Sequence, residues 1–316
     1  MGRARGANAK LAGAFETVYG TPPASGFKNL PFVRSTLGAE QGLIEDDLLG
    51  NGREKFDPSL DVVTNDGQVV VPVDLRNFGF WLKLLLGVPV TTGSDPYTHV
   101  FESGKASLPS MAVETQLPDV PSYEMNYGLR ANSLQIAMSR RGLLNATIEL
   151  VGKGADARAS SSDAGTVAAA LAVARFRQAV GEIKREGVTL GSIVSAELSF
   201  TNNLDKVETI QPDGEIEDAD PAQAAVSGSI VSRYNSLTLY NDAVNGEPVE
   251  LSFGWAMSIG GDDYSLTFTV PRAFLPRVKT PIEGPAGIQS SANFIGSGQG
   301  DAAFVAELIN DVASYA

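Results

Sequence analysis

The sequence predicts a mainly β protein made of two repeated β-barrel or β-sandwich units, each with a short flanking α-helix. Three observations predict it. First, one stretch is written twice. Gly67-Gln68-Val69-Val70-Val71-Pro72-Val73-Asp74 runs from a turn glycine through apolar residues to a helix-capping residue. Gly228-Ser229-Ile230-Val231-Ser232-Arg233-Tyr234-Asn235 does the same 161 positions further on. Second, a short amphipathic helix and then a glycine follow each copy. Third, runs with strand-like alternation far outnumber helical ones.

The elements follow in order. Residues 27–38 and 66–74 read as strands. Asp74 then caps a helix over 75–86, in which Phe78, Trp81, Leu82 and Leu85 fall at helical spacing. Gly87 and Pro89 end it. Residues 97–103, 111–117, 123–127, 133–140 and 143–151 read as further strands. The stretch from 153 to 166 is rich in Ala, Ser and Gly and reads as a linker. Residues 168–179 fit either a short helix or an extended segment. In the second unit 193–201 is a strand with alternating apolar residues. Asn235 or Ser236 caps a helix over 236–245, which carries Leu237, Tyr240 and Val244 and closes at Gly246. Residues 250–258, 264–270 and 288–295 are strands. Weaker echoes keep the same order: Asp57-Pro58 with Asp220-Pro221, and Ile44-Glu45 with Val207-Glu208. The expected division is an N-terminal arm at 1–26, unit one at 27–155, a linker at 156–179, unit two at 180–300 and a C-terminal strand or tail at 301–316.

Composition narrows the function. The chain has 316 residues, 43% of them hydrophobic, with 33 Gly and 17 Pro. That is a turn-rich globular composition with room for two cores. No apolar run reaches the roughly 18 residues of a membrane span, and the basic start has no apolar stretch behind it to read as a secretory signal. Cysteine is absent, which removes disulfides, thiolate metal sites and thiol nucleophiles. A net charge of −13 argues against tight wrapping of nucleic acid, which needs cations to displace counterions. It does not argue against a surface that nucleic acid slides past without sticking.

Two segments hold most of that charge. Residues 40–66 carry Glu40, Glu45, Asp46, Asp47, Glu54, Asp57, Asp61 and Asp66 against Arg53 and Lys55. Residues 205–220 carry Asp205, Glu208, Asp213, Glu215, Glu217, Asp218 and Asp220 against Lys206. Each nets −6 and each lies before the strand that leads into the unit's helix. The plain reading is a solvated loop. A calcium site at 213–220 lacks the spacing of an EF-hand loop. The third reading is a projecting contact loop, with Arg140, Arg141, Arg272, Arg277 and Lys279 as basic counterparts on a neighbouring subunit.

Catalytic sets are incomplete. The single histidine, His99, sits in a strand-like run, and with no cysteine the usual triads and zinc sites lack parts. Gly296-Ser297-Gly298-Gln299-Gly300 does not open a nucleotide-binding helix. A carboxylate pair alone suffices for glycoside hydrolysis, but the acids here lie in loops without neighbouring aromatics. No enzyme activity and no cofactor or metal are expected.

Several motifs together resemble the tail tube (major tail) proteins of long-tailed, siphophage-type phages and prophages. They are Arg5-Gly6-Ala7-Asn8-Ala9-Lys10-Leu11, Phe15-Glu16-Thr17-Val18-Tyr19-Gly20-Thr21-Pro22, Leu48-Leu49-Gly50, Val71-Pro72-Val73-Asp74, Gly79-Phe80-Trp81-Leu82-Lys83, Asn202-Asn203-Leu204-Asp205 and Asn310-Asp311-Val312-Ala313-Ser314-Tyr315. The resemblance spans nearly the whole chain. It implies tail-tube-type barrel or sandwich units whose inner strands join into a ring. Rings stack into a hollow tube with an acidic lumen for DNA. It further implies virion localisation after assembly in the host cytoplasm. The implied partners are the chain itself, the tape measure, tail terminator and distal tail proteins, and DNA in passage without specific binding, with no membrane. Two units per chain turn a ring of six units into a ring of three chains. The acidic segments are then expected at ring–ring contacts or along the lumen. The competing reading is a receptor- or carbohydrate-binding β-sandwich component of a tail tip or baseplate.

Overall fold

The computed structural model describes residues 2–50, 52–282 and 284–315. The N-terminal half holds β1 (Lys10–Phe15), β2 (Lys28–Asn29), β3 (Arg34–Ser35), β4 (Gly38–Ile44), β5 (Ser59–Pro72), α1 (Phe78–Leu86), β6 (Val90–Gly93), β7 (Tyr97–Glu102), β8 (Met111–Leu117), β9 (Ser122–Ser139), β10 (Asn145–Gly152) and β11 (Gly154–Ala155). The C-terminal half holds β12 (Gly181–Arg185), β13 (Val188–Thr189), β14 (Ile193–Thr201), β15 (Asp205–Val207), β16 (Asp218–Asp220), β17 (Ala225–Arg233), α2 (Thr238–Asn245), β18 (Val249–Ile259), β19 (Asp262–Phe274), β20 (Gln289–Gly296) and β21 (Val305–Asn310). The protein is mainly β, and all named strand pairings are antiparallel.

One continuous run of pairings crosses both halves in the order β4–β5–β10–β9–β14–β17–β20. Side chains alternate along each strand, so one face of this sheet is apolar and the other polar. Val69, Ile148, Leu134, Phe200 and Val226 share the buried face, as do Ile136, Leu198 and Phe294. A second layer packs over that face. It comprises β2–β1–β8–β9 on one side and β12–β18–β19–β21–β7–β6 on the other. The layers share their longest strands. β9 pairs β8 through 122–129, then β10 and β14 beyond. Gly128 marks the crossing: its φ is +64°, and a Cβ there would stand 2.5 Å from the Lys153 side chain.

The order of pairings in the first half returns in the second. β1–β8–β9 and β4–β5–β10–β9 have counterparts in β12–β18–β19 and β14–β17–β20–β19. The helices take the same place in that order but differ in burial. In α1, Phe78, Trp81, Leu82, Leu84, Leu85 and Leu86 are all buried, and Lys83 is buried with them, its ammonium 4.0 Å from the Phe15 ring centre. The helix is covered by the segment before β12 and by the C-terminal residues. Asn77 exchanges hydrogen bonds with Leu171, Leu75 donates its N–H to Ala174 O at 2.9 Å, and Tyr315 lies against Gly79. In α2 only Asp242 is buried, held by a two-fold Arg185 contact at 2.7 Å.

The structure corrects several local expectations. Lys10–Phe15, read within an arm, is a strand with Leu11 and Ala12 buried. The strand expected at 27–38 is only the two short pairings β2 and β3. The strands expected at 123–127 and 133–140 are one strand, β9, because Gly128 bends the chain without ending it. The first helix begins at Phe78, and Asp74 sits upstream of it. Asp74 Oδ2 accepts the N–H groups of Arg76 and Asn77 in a turn that leads in. Residues 168–179 are extended with one 3₁₀ turn, and Phe176 there is fully buried.

Candidate assembly surfaces

The polar face of the long sheet is a continuous surface. Register places Val70, Thr147, Gln135, Ser199, Ser227 and Ile295 in one row across it. A neighbouring row runs Gln68, Glu149, Ser133, Thr201, and another Ala137, Glu197, Ser229, Asn293. Hydroxyls and amides dominate, and the carboxylates away from the edges are Asp66, Glu149 and Glu197. Glu149 accepts hydrogen bonds from Ser133 Oγ at 3.0 Å and Asn132 Nδ2 at 3.2 Å. Of the bases on this face, Arg34 and Arg233 lie towards its two edges, and Arg130 lies in the row of Asp66 and Val151. Glu149 and Glu197 lie outside the two acidic segments that the sequence singles out. Their signal was a single acid between two apolar neighbours, as in Ile148-Glu149-Leu150 and Ala196-Glu197-Leu198.

Both edges of that sheet are open. Among the described residues β3 and β4 are paired to β5 alone. β20 is paired along its length to β17 and touches β19 only at Ala273 and Phe274. An open edge presents unpaired N–H and C=O groups.

The two acidic segments have different settings. Between β4 and β5 the chain projects as a hairpin past the sheet, because β10 covers β5 only from Asn65 to Pro72. Glu45, Asp46, Asp47, Glu54, Asp57 and Asp61 are all exposed on it. Lys55 Nζ donates to Glu45 at 2.6 Å, Asp46 accepts the Leu48 N–H at 2.8 Å, and Gln41 Nε2 donates to Asp61 O at 2.7 Å. Leu43, Ile44, Leu48, Leu49 and Leu60 are exposed on the same hairpin, Leu49 by 96%. Exposed apolar residues gathered at one projection mark a contact surface.

The other acidic segment, read as a loop, contains the β15–β16 hairpin, where Asp205 pairs with Asp220. It lies against the first half of the chain. Arg130 contacts Asp218 at 2.6 Å and donates to Ala219 O at 2.5 Å, with its cation 4.5 Å from the Tyr19 ring centre. Tyr127 Oη donates to Glu215 at 2.5 Å, and Lys206 donates to Asp66 at 2.5 Å. Burial, the Glu215 bond and nearby carboxylates push the Tyr127 hydroxyl far above its usual pKa, so it stays a donor. Thr209 Oγ1 donates to Glu217 at 3.1 Å, and Asp213 accepts the Glu215 N–H at 3.1 Å. Glu208 is exposed.

The base that meets this segment is therefore Arg130, which sequence reasoning missed. Its signal was a lone cation inside the apolar run 129–131. Arg140 and Arg141 stand exposed in the turn from β9 to β10, with no ion-pair partner among the described residues. Arg272 is half-buried near the Phe274 ring. Arg277 donates to Tyr240 Oη at 2.7 Å, and Lys279 is exposed.

His99 is a packing residue. It is fully buried, with Thr91 Oγ1 at 2.8 Å from Nδ1 and the Val312 carbonyl at 2.8 Å from Nε2. The neutral ring serves both: Nε2–H donates to Val312 and Nδ1 accepts from Thr91. Burial lowers its pKa, which favours that form. Among the described residues no helix is long and apolar enough to cross a membrane, and no group of three His, Cys, Asp or Glu side chains is placed to hold a metal.

This β-rich chain, with a two-sided sheet, open edges and one projecting hairpin, has the surfaces that a structural protein uses for assembly. Residues 6–296 match the phage tail tube protein family, and the chain belongs to it. Its role is accordingly structural, as a component of a virion tail. No curated protein matches the chain.

Proposed function

We propose that this protein is the repeating subunit of a hollow, siphophage-type tail tube through which DNA passes. In this reading the two halves are two tube units, residues 27–155 and 180–300, joined by the linker 156–179. Three chains then close a pseudo-sixfold ring, and rings stack. The observation that carries it is the long sheet, with one face in the core, a polar face opposite and both edges open. Closing the sheet on copies of itself removes the edges and turns the polar face inward. Seven strands from each of three chains, about 4.8 Å apart, give a barrel roughly 32 Å across before tilt widens it. Barrels of sixteen or more strands already leave an aqueous channel.

Duplex DNA presents about one negative charge per 1.7 Å of axis. A wall rich in hydroxyls and amides, whose carboxylates Glu149 and Glu197 have no ion-pair partner among the described residues, gives phosphates little to bind, while Asp66 is paired with Lys206. The β4–β5 hairpin, with its acids and exposed leucines, suits the contact with the next ring. The tube's ends would meet terminator and distal tail proteins, and its bore the tape measure protein. Assembly takes place in the host cytoplasm.

Electron microscopy of the purified full-length protein, with mass measurement on isolated rings, tests this. Hollow tubes whose rings weigh three chains are expected. Rings of six chains would remove the two-unit count and leave the tube. Monomers that never assemble, at any concentration or salt, would remove the tube.

A further inference from the structure

The recurrence of pairings reaches the segments that lead into each half. Residues 3–5, Arg3-Ala4-Arg5, precede a 3₁₀ turn at Gly6–Asn8 and then β1. Residues 175–177, Arg175-Phe176-Arg177, precede a 3₁₀ turn at Gln178–Val180 and then β12. Both turns are entered from an extended arginine and close with the same bond, from Ala9 N–H to Gly6 O and from Gly181 N–H to Gln178 O.

The second of these segments is docked. Val73 N–H donates to Leu144 O, and Phe176 fits beside that pair, giving its N–H to Val73 O and accepting from Leu144 N–H, each at 3.1 Å. Arg175 donates to Asn145 Oδ1 at 2.5 Å. The same acceptor exists in the second half. Tyr234 N–H donates to Ile288 O at 3.0 Å, and Gln289 follows Ile288 as Asn145 follows Leu144. Here the Tyr234 carbonyl and Ile288 N–H have no backbone partner among the described residues. Residues 3–5, which match the docked segment, are exposed.

The sheet edges repeat this relation. Within the chain, β14 pairs along the end of β9, from Ser195 with Ser139 to Thr201 with Ser133. By order of pairing, β14 corresponds to 34–40 and the end of β9 to the residues after β19. Val151 pairs with Arg130 and Ile295 with Phe274, which aligns the two long strands. Residues 275–282 are not a strand, and 34–44 lack a second neighbour.

We infer that the joint between the two halves is a built-in copy of the joint between neighbouring copies of this chain. Residues 35–42 of the next copy pair along 275–282, and its residues 3–5 enter the gap at Tyr234 and Ile288, with Arg3 towards Gln289. Carrying the β9–β14 register across sets residue 277 opposite residue 40 and residue 279 opposite residue 38. That puts Arg277 against Glu40, an opposite-charge pair on one face. Residues 275–282 become a strand when the neighbour arrives. The arm contributes backbone and guanidinium contacts, since Ala4 stands where Phe176 fills its site. This inference rests on the tube reading above and adds which edges meet and in what register.

The absence of cysteine makes the test direct. The full-length double variant Arg277→Cys with Glu40→Cys is assembled and oxidised. Non-reducing gels should show links between chains that stop at a closed set of three, with neither single variant giving that ladder. Val278→Cys with Glu40→Cys places the thiols on opposite faces and should link at least fivefold less. Charge reversal is the second measurement. Arg277→Glu or Glu40→Arg alone should cut the tube yield at least fivefold, and the two together should restore most of it. Tubes that form without the cross-link, and whose yield ignores both reversals, would overturn the joint and leave the tube reading standing. A wild-type protein that forms no rings or tubes would overturn the tube reading itself, and the joint with it.

Discussion

Tyr315 shows how single side chains tie the ends of this chain to its core. Its hydroxyl donates to Arg76 O at 2.5 Å and accepts from Asn310 Nδ2 at 2.7 Å, while its ring occupies the space that a larger residue at Gly79 would need. Tyr315→Ala should destabilise the protein by about 3–5 kcal/mol, the cost of deleting a buried aromatic. Gly79→Val should cost at least as much as ordinary overpacking, about 1–3 kcal/mol. Denaturant midpoints check both, and wild-type values for either would dissolve the contact. His99 supplies a pH signature. Its folded pKa is depressed from 6.5 by burial, so the stability it contributes is complete above that value. That stability is lost as pH falls towards the folded pKa, because the unfolded chain takes up the proton first. Asp311, held below its usual pKa by Arg76, adds a loss of the same sign at more acid pH. Unfolding free energy should therefore fall as pH drops from 7 to 5, and His99→Asn should flatten that slope.

At the level of elements, the β15–β16 hairpin is a clamp across the two halves. Arg130 has a side chain only 10% exposed, and it holds Asp218 and the Ala219 carbonyl at once. Arg130→Ala leaves both acceptors without that donor and should cost about 2–4 kcal/mol, less than for a fully buried pair because Asp218 is partly solvated. Hydrogen exchange across 205–220 should speed up while α1 stays protected. Uniform exchange in both would mean that the hairpin does not act as a separate unit. β9 teaches a related lesson. Alternation reads cleanly at 133–139 and fades at 123–132, where β9 is covered on both faces. Period-two reasoning therefore saw two strands where one long strand serves two sheets.

At the scale of the whole molecule, the placement of charge separates two sets of acids. Replacing Glu149 and Glu197 with glutamine should leave assembly intact and slow DNA ejection, if the polar face lines the bore. Replacing Asp213, Glu215, Glu217 and Asp218 by their amides should act differently. Glu215 and Asp218 hold Tyr127 and Arg130, so the joint between halves should loosen and tube yield should fall. Ejection kinetics and tube counts by microscopy distinguish them. Equal effects of the two sets on both readouts would argue that neither has the placement assigned to it.

The sequence alone determined the β class, the two glycine-closed helices and the pair of acidic segments. Each follows from local rules: periodicity, capping, and the positive φ that Gly246 adopts at +72° after α2. It also placed Phe78, Trp81, Leu82 and Leu85 at helical spacing, and all four are buried. What it did not carry was which surfaces meet. Arg130 and Asp218 are far apart in the chain, and β14 joins β9 rather than an edge strand of its own half. Lys10–Phe15 looked like an arm because Ala and Gly dominate it, yet that smallness is what lets it pack: a Cβ at Gly13 would stand 2.4 Å from Leu30. Pairings between distant segments are selected by the free energy of closing the whole sheet over its core, and no local window of the sequence contains that information.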